Sequence, residues 1–113
     1  MTDRKGYVLV DAQQQHAAHP DTFWVPDLAA IAKLCEGSYV KLIFRRSRNP
    51  VGERMWVKIQ GATGRKYIGT LQNNPFVLAD VLAVGDTVSF EARHIIGIMD
   101  DAGLRRVAAG RAK

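Results

Sequence analysis

The stretch Tyr39-Val40-Lys41-Leu42-Ile43-Phe44-Arg45 decides the fold, because its side chains alternate with a period of two. Val40, Leu42 and Phe44 would share one face of an extended chain, opposite a face that carries Lys41. This period is typical of a half-buried β-strand, so we predict a strand over residues 39–45.

The segments after this strand repeat the alternation between turn residues. Residues 55–60 predict a second strand with Met55, Val57 and Ile59 facing inward, and residues 46–53 predict a basic loop before it. A first short strand is predicted at 7–10. After the second strand, the pattern predicts a hairpin connection at 61–64, a return strand at 66–71 and a turn at 73–75. Residues 76–84 fit a helix or an irregular loop equally, and a strand follows at 87–93, which Ile95, Ile96 and Ile98 extend or bulge.

One amphipathic helix is predicted over residues 26–36. Pro26 suits the first position of a helix, and Asp27 beside it complements the helix dipole. Gly37 is placed to end the helix in a left-handed conformation. Apolar residues recur along it at intervals of three and four, namely Leu28, Ile31, Leu34 and Cys35. The polar stretch 11–22 is predicted to be a loop with at most one helical turn.

The order of the elements predicts an α+β fold. Consecutive strands with tight turns favour an antiparallel, strongly twisted sheet, with one N-terminal helix (residues 26–36) packed on it. Curling the sheet into a small barrel that resembles SH3-type barrels would remove its edges. A length of 113 residues fits one domain, which we place at residues 1–99, followed by a flexible or helical basic tail at 100–113.

Positive charge is concentrated in one quarter of the chain. Residues 41–66 contain eight basic side chains against a single acid, Glu53, whereas the rest of the chain contains eight basic and ten acidic residues. Such asymmetry creates a local positive field that recruits anionic partners. The alternative is that these cations only keep exposed strands soluble.

Cysteine content and hydropathy favour a cytoplasmic protein. The chain has one cysteine, Cys35, which excludes an internal disulfide and favours a reducing compartment. Its apolar runs are shorter than the ~20 residues that a membrane helix requires, and Tyr7–Val10 is too short for a signal sequence. We therefore expect no membrane partner.

Three motifs recur in the order of a known small bacterial family. They are Glu53-x-x-Trp56-Val57, then Gly69-x-Leu71-x-Asn73-x-Pro75, then Gly85-Asp86-x-Val88-x-Phe90 with His94-Ile95 close behind. In these motifs, over roughly residues 37–98, the chain resembles the family catalogued as domain of unknown function 2314. The resemblance implies a fold without an assigned chemistry, so it assigns no functional residue.

The side chains that could carry chemistry do not form a catalytic pattern. His16 and His19 with Asp21 lack the further ligands of a closed metal site. Cys35 continues the apolar stripe and is interpreted as core, and His94 as a buried, hydrogen-bonded imidazole. Nucleophile-elbow and phosphate-loop motifs are absent. We therefore predict no catalytic residue, no metal, no cofactor and no enzyme activity.

Trp56 is the most informative side chain of the basic segment. With Met55 and Val57 inward, Trp56 shares the opposite face with Lys58. A ring among cations is typical of protein interfaces and of single-stranded nucleic-acid binders. Alternatively, the 26–36 helix covers this face.

The sequence thus favours a non-enzymatic binding module that works through a basic hairpin surface. A protein partner ranks first, and a small nucleic-acid-binding barrel is the alternative, since no repeated stacking platform is evident. The oligomeric state is left open. The predicted binding residues are Arg45, Arg46, Arg48, Arg54, Trp56, Lys58, Arg65 and Lys66.

Overall fold

The computed structural model describes residues 6–99, so the predicted tail at 100–113 lies outside the described residues. Within this range the chain forms strands and short helices in alternation with loops. Their bounds are β1 (Val8–Leu9), α1 (Ala12–Ala18), α2 (Leu28–Ala32), β2 (Tyr39–Arg45), β3 (Gly52–Thr63), β4 (Lys66–Leu71), β5 (Thr87–Glu91), a 3-10 helix (Ala92–His94) and β6 (Ile95–Met99).

The sheet is antiparallel and nearly closes on itself. Strands β1 to β5 lie side by side in chain order, and β6 returns to pair with β2. One edge of β2 pairs with β3, while the other is shared by β6 at residues 39–42 and β1 at residues 44–45. The predicted α+β fold with a small barrel is confirmed.

The barrel interior is filled by the alternating residues of the strands. Val40, Leu42 and Phe44 of β2 are fully buried, and the predicted inward residues of β3, Met55, Val57 and Ile59, are equally inaccessible. Val88 and Phe90 of β5 and Leu71 of β4 complete the same cluster. The predicted faces of β2 and β3 are therefore confirmed.

The hairpin between β3 and β4 is tighter than the sequence indicates. β3 continues to Thr63, and Gly64, with a φ of +60°, stands at the turn before Lys66 begins β4. The predicted connection at 61–64 is therefore too long, because a register shift between Ile59 and Gly61 lets the strand pass through Gly61.

The predicted 26–36 helix is wrong in length and in packing. α2 covers only Leu28–Ala32, and Asp27 caps it by accepting a hydrogen bond from the Ala30 N–H rather than lying inside it. Leu28 is 81% exposed, and Ile31 is the buried residue of this helix. The helix ends early because residues 37 and 38 already pair with β3, through Gly37 N to Ile59 O and Ile59 N to Ser38 O.

A helix occupies part of the stretch that was predicted to be a loop. α1 spans Ala12–Ala18, nearly two turns, and buries Ala12. Asp11 caps it by accepting from the Gln14 N–H. An aspartate followed three residues later by glutamine is the spacing of a capping box, so the signal was present in the sequence.

The last predicted strand is also shorter than expected. β5 ends at Glu91, not Arg93, because residues 92–94 form a 3-10 helix that turns the chain toward β2. The Glu91 N–H donates to His94 Nδ1 across this turn. The isoleucines after His94 therefore belong to a separate strand, β6.

Residues 76–84 form irregular turns that close one end of the barrel. Leu78 and Leu82 from this loop are buried in the core. The Glu53 carboxylate accepts from the backbone N–H groups of Phe76, Val77 and Leu78, at N–O distances of 2.6, 3.1 and 3.3 Å. One side chain of β3 therefore anchors the segment that delivers Leu78.

Candidate binding face

The outward side chains of β2 and β3 form a checkerboard of cations and apolar groups. Cross-strand partners on this face form four rows, and each row holds one cation. From one row to the next, the cation lies alternately on β3 and on β2. The rows are Tyr39 with Lys58, Lys41 with Trp56, Ile43 with Arg54, and Arg45 with Gly52. Successive rows on one face of a sheet lie about 6.8 Å apart, so the four rows extend over roughly 20 Å. We call this surface the outer β2–β3 face.

Two lysines of this face lie against aromatic rings. The Lys41 ammonium lies 4.8 Å from the centre of the Trp56 ring, and the Lys58 ammonium lies 5.9 Å from the centre of the Tyr39 ring. Both distances suit cation–π attraction. The pairs hold both charged groups close to the sheet and cover one side of each ring. Since Lys41 contacts the Trp56 ring and Leu28 of α2 is exposed to solvent, the structure gives no support to a helix lying over Trp56.

A groove adjoins the end of the face where Arg45 and Arg54 lie. Its volume is about 810 Å³, and it lies between the loop at 46–51 and the segment that contains α1. Three arginines line it, together with three side-chain amides and an apolar floor. The polar residues are Arg45, Arg48, Arg54, Gln14, Gln15 and Asn49, and the floor includes Leu9, Phe23 and Ile43.

The acid in this groove is already paired. Asp11 Oδ1 accepts from the Gln14 N–H at 3.0 Å, and Asp11 Oδ2 accepts from Arg93 at 3.1 Å. Although burial raises the pKa of Asp11, these hydrogen bonds outweigh it and hold the pKa below its ordinary value. The carboxylate therefore stays charged but is directed to Arg93 and the α1 backbone, which leaves the three groove arginines uncompensated by it.

The loop that carries Arg48 is held in an unusual conformation. Arg48 has a φ of +68°, a left-handed value that favours glycine, and in residues 6–99 it is the one non-glycine residue with positive φ. The Asn49 N–H donates to Arg46 O, and Arg45 Nη1 donates to the carbonyls of Arg46 and Asn49 at 3.0 and 3.5 Å. Arg45 thereby ties the loop to the end of β2.

Other predicted binding residues lie away from this groove. Arg46 donates to Val77 O and forms an ion pair with Asp80, so it fastens the 76–84 loop. Arg65 lies in the β3–β4 turn, and Lys66 pairs with Glu91 at 3.8 Å. A smaller cavity near Arg65, of about 320 Å³, shares no lining residue with the groove. The structure therefore brings together Arg45, Arg48, Arg54, Trp56 and Lys58, but not the other three.

Cys35 and His94, the thiol and the imidazole that could carry chemistry, lie in different environments. Cys35 is exposed, which contradicts its prediction as a core residue, because the chain leaves the helix before the apolar stripe reaches it. His94 is buried and accepts from the Glu91 N–H, as predicted. Burial lowers its pKa below the ordinary value. Residues 6–99 contain no group of three His, Cys, Asp or Glu side chains that could hold a metal.

Sequence reasoning missed several members of the face and groove. Tyr39 and Lys41 are not among the predicted binding residues, although the cross-strand register makes them partners of Lys58 and Trp56. Gln14 and Gln15 join the groove through α1, which was not predicted. The register of β2 against β3 would have identified Tyr39 and Lys41 as members of the face, but no local sequence pattern indicates that register.

The fold and the face together define a small antiparallel barrel with a cationic, aromatic outer surface. The chain belongs to the family of uncharacterised proteins conserved in bacteria that is called domain of unknown function 2314, whose model matches residues 11–101. No curated protein and no solved structure matches the chain. Across residues 6–99, no helix has the length and apolar character needed to cross a membrane.

Proposed function

We propose that the chain is a non-enzymatic binding module whose outer β2–β3 face takes an extended, acidic segment of a protein partner. The observation that supports this most directly is the checkerboard, with one cation in each of four rows. In an extended peptide, alternate side chains lie on the same side and repeat every ~6.8 Å. A segment with Asp or Glu at alternate positions would therefore place one carboxylate beside each row.

The apolar positions of the face support a protein partner. Tyr39 and Trp56 are half-buried beside Lys58 and Lys41, and Trp, Tyr and Arg are the residues that dominate binding energy at protein interfaces. Lys41 and Lys58 are already ordered against rings, so binding would cost less side-chain entropy than for free lysines.

Single-stranded nucleic acid is the second candidate, favoured by the presence of Trp56 among cations. Bases would stack on exposed rings while cations follow the phosphates. However, the ammonium of Lys41 already covers one side of Trp56, and that of Lys58 lies over Tyr39. A base would have to displace the lysine or use the ring edge, so this candidate ranks second.

The test uses Trp56 as the reporter. The chain has two tryptophans, and Trp24 is 74% exposed in a loop outside the face, so Trp24→Phe leaves Trp56 as the single tryptophan, which is excited selectively at wavelengths that tyrosine does not absorb. Three probes are titrated against this variant: a peptide in which Glu alternates with Ser, a peptide of equal composition with its Glu residues in one block, and oligo-dT of similar charge. Salt is varied for each probe.

We expect the alternating peptide to change Trp56 emission and to bind more tightly than the block peptide. Exposed ion pairs contribute about 0.2–1 kcal/mol each, so Lys41→Gln with Lys58→Gln should weaken binding by roughly 2- to 30-fold. Lys33→Gln, an exposed lysine beside α2, is the matched control. Equal binding of both peptides would refute the register argument. Tighter binding of oligo-dT, with a log–log salt slope of about −0.7 per phosphate, would assign the face to nucleic acid instead.

A further inference from the structure

We infer that the groove lined by Arg45, Arg48 and Arg54 binds a phosphomonoester, namely a phosphorylated side chain of the segment that lies on the outer β2–β3 face. This assignment rests on the proposed function for its peptide source. The groove continues the face, because Arg45, Ile43 and Arg54 belong to both.

Charge balance favours a dianion over a carboxylate. Among the described residues that line the groove, three are arginines and the one acid, Asp11, has its two oxygens engaged by Gln14 and Arg93. A carboxylate brings one charge and is satisfied by one bidentate guanidinium. A phosphomonoester carries about −1.5 to −2 and three acceptor oxygens near neutral pH, so it can engage several guanidinium groups at once.

Neutral donors in the groove also fit phosphate oxygens. Asn49 Oδ1 accepts from the Val51 N–H at 2.9 Å, which leaves the NH2 group of that side chain as a donor. The amides of Gln14 and Gln15 line the opposite wall. Amide donors add hydrogen bonds to an oxyanion without adding charge.

The loop geometry indicates a site that is formed before the ligand arrives. Arg48 keeps a left-handed φ that is costly for a residue with a side chain, and such conformations cluster at ligand-binding sites. Arg45 Nη1 is fixed on two loop carbonyls, which leaves its other N–H groups for a ligand. A pre-organised loop reduces the entropy cost of binding.

The dimensions of the groove suit a side chain with a phosphate rather than a bare ion. A volume of about 810 Å³ lies in the range of small-molecule sites. Leu9, Phe23 and Ile43 give it an apolar floor that would contact the aliphatic part of a phosphoserine or phosphothreonine and lower the local dielectric.

The test uses small ligands that do not need the rest of the face. The 15N-labelled chain is titrated with N-acetyl-O-phosphoserine amide and, separately, with N-acetylglutamate amide and N-acetylserine amide. We expect saturable shifts of the amide signals of residues 9–15 and 48–54 with the phosphoserine ligand. Glutamate should bind at least about tenfold more weakly, and serine should not bind. Equal binding of the first two ligands, or shifts spread over all exposed cations, would overturn the inference.

A matched set of variants separates the groove from general charge. Arg48→Gly removes a guanidinium while glycine adopts the left-handed φ without strain, so folding should be retained. We expect Arg48→Gly and Arg54→Gln each to weaken the phosphoserine ligand at least about fivefold, and Arg65→Gln, which lies outside the groove, to leave it unchanged. Wild-type affinity in both groove variants would overturn the assignment.

The two proposals fail in different ways. If the alternating Glu peptide binds but the phosphoserine ligand does not shift the groove signals, the groove assignment alone is refuted. If the phosphoserine ligand saturates the groove while acidic peptides do not bind the face, the proposed function is refuted. A nucleoside monophosphate that binds more tightly than the phosphoserine ligand would assign the groove to a nucleotide and overturn the phosphopeptide source.

Discussion

Replacing Glu53 by alanine removes the anchor of the loop that carries Leu78 and Leu82 into the core. In the native chain the carboxylate accepts from three consecutive N–H groups, of which that of Phe76 is exposed and those of Val77 and Leu78 are partly buried. The variant leaves all three donors without this partner. Water reaches the first donor freely but the other two less well.

The expected loss in the free energy of unfolding is about 3 kcal/mol. Hydrogen bonds to charged acceptors contribute about 1.5–3 kcal/mol when protected, and considerably less when exposed. Taking ~0.5 kcal/mol for the exposed bond and ~1–1.5 kcal/mol for each of the other two gives a total near 3 kcal/mol. Glu53→Gln keeps one acceptor oxygen, so about half of this loss is expected.

Urea denaturation followed by far-UV circular dichroism measures the loss. With a slope of about 1–1.5 kcal/mol per molar urea, Glu53→Ala should lower the midpoint by roughly 2–3 M. Glu36→Ala, an exposed glutamate before β2, should stay within ~0.5 kcal/mol of wild type. A loss below ~0.5 kcal/mol in Glu53→Ala, or equal losses in the Ala and Gln variants, would refute the anchoring role of the carboxylate.

Three further predictions concern stability. Gly69→Ala should lower the free energy of unfolding by more than ~2 kcal/mol, since a Cβ there would overlap Val57 Cγ1 and the backbone oxygen of Lys58. Gly61→Ala, with no atom within 4 Å of the added Cβ, should cost no more than about 1 kcal/mol. Comparable thermal midpoints in the two variants would contradict this. Leu42→Ala should lower the free energy of unfolding in urea by about 3 kcal/mol, because the side chain is fully buried, and a negligible loss would place it outside the core. Burial holds the pKa of His94 below its ordinary value of 6.5, so the unfolded chain binds the proton first as the pH falls. At pH values below about 6.5 the free energy of unfolding should therefore decrease, by at most ~1.4 kcal/mol per pH unit. Urea titrations at several pH values should show a flatter pH profile for His94→Gln than for wild type, and parallel profiles would refute the prediction.

Strands were predictable because their signal is local. The alternation in residues 39–45 and 55–60 fixes which side chains face inward, and burial of Leu42 and Val57 agrees with it. The predicted 26–36 helix is too long for a non-local reason. Gly37 N donates to Ile59 O and Ser38 O accepts from Ile59 N, so the chain must leave the helix early enough to reach β3. An apolar stripe does not reveal such competition.

The candidate site was predictable in charge but not in arrangement. Composition locates the cations between residues 41 and 66, and three of them do line one groove. Arg46 forms an ion pair with Asp80 and Lys66 forms one with Glu91, and each partner lies more than twenty residues away along the chain. Long-range pairs of this kind depend on strand pairing and on loop packing, so the sequence alone could not separate structural cations from available ones.

The shared edge of β2 has a mechanical consequence. The chain enters the barrel beside Arg45, where Val8 pairs, and leaves it beside Tyr39, where Met99 pairs. A force that pulls residues 6 and 99 apart would therefore slide β1 and β6 along β2 in opposite directions and load their hydrogen bonds in shear. Hydrogen bonds loaded in shear break together rather than one by one, so a ladder with more paired residues withstands a larger force. We therefore expect β1, with only two paired residues, to detach first, and the longer β2–β6 ladder to set the rupture force of the barrel.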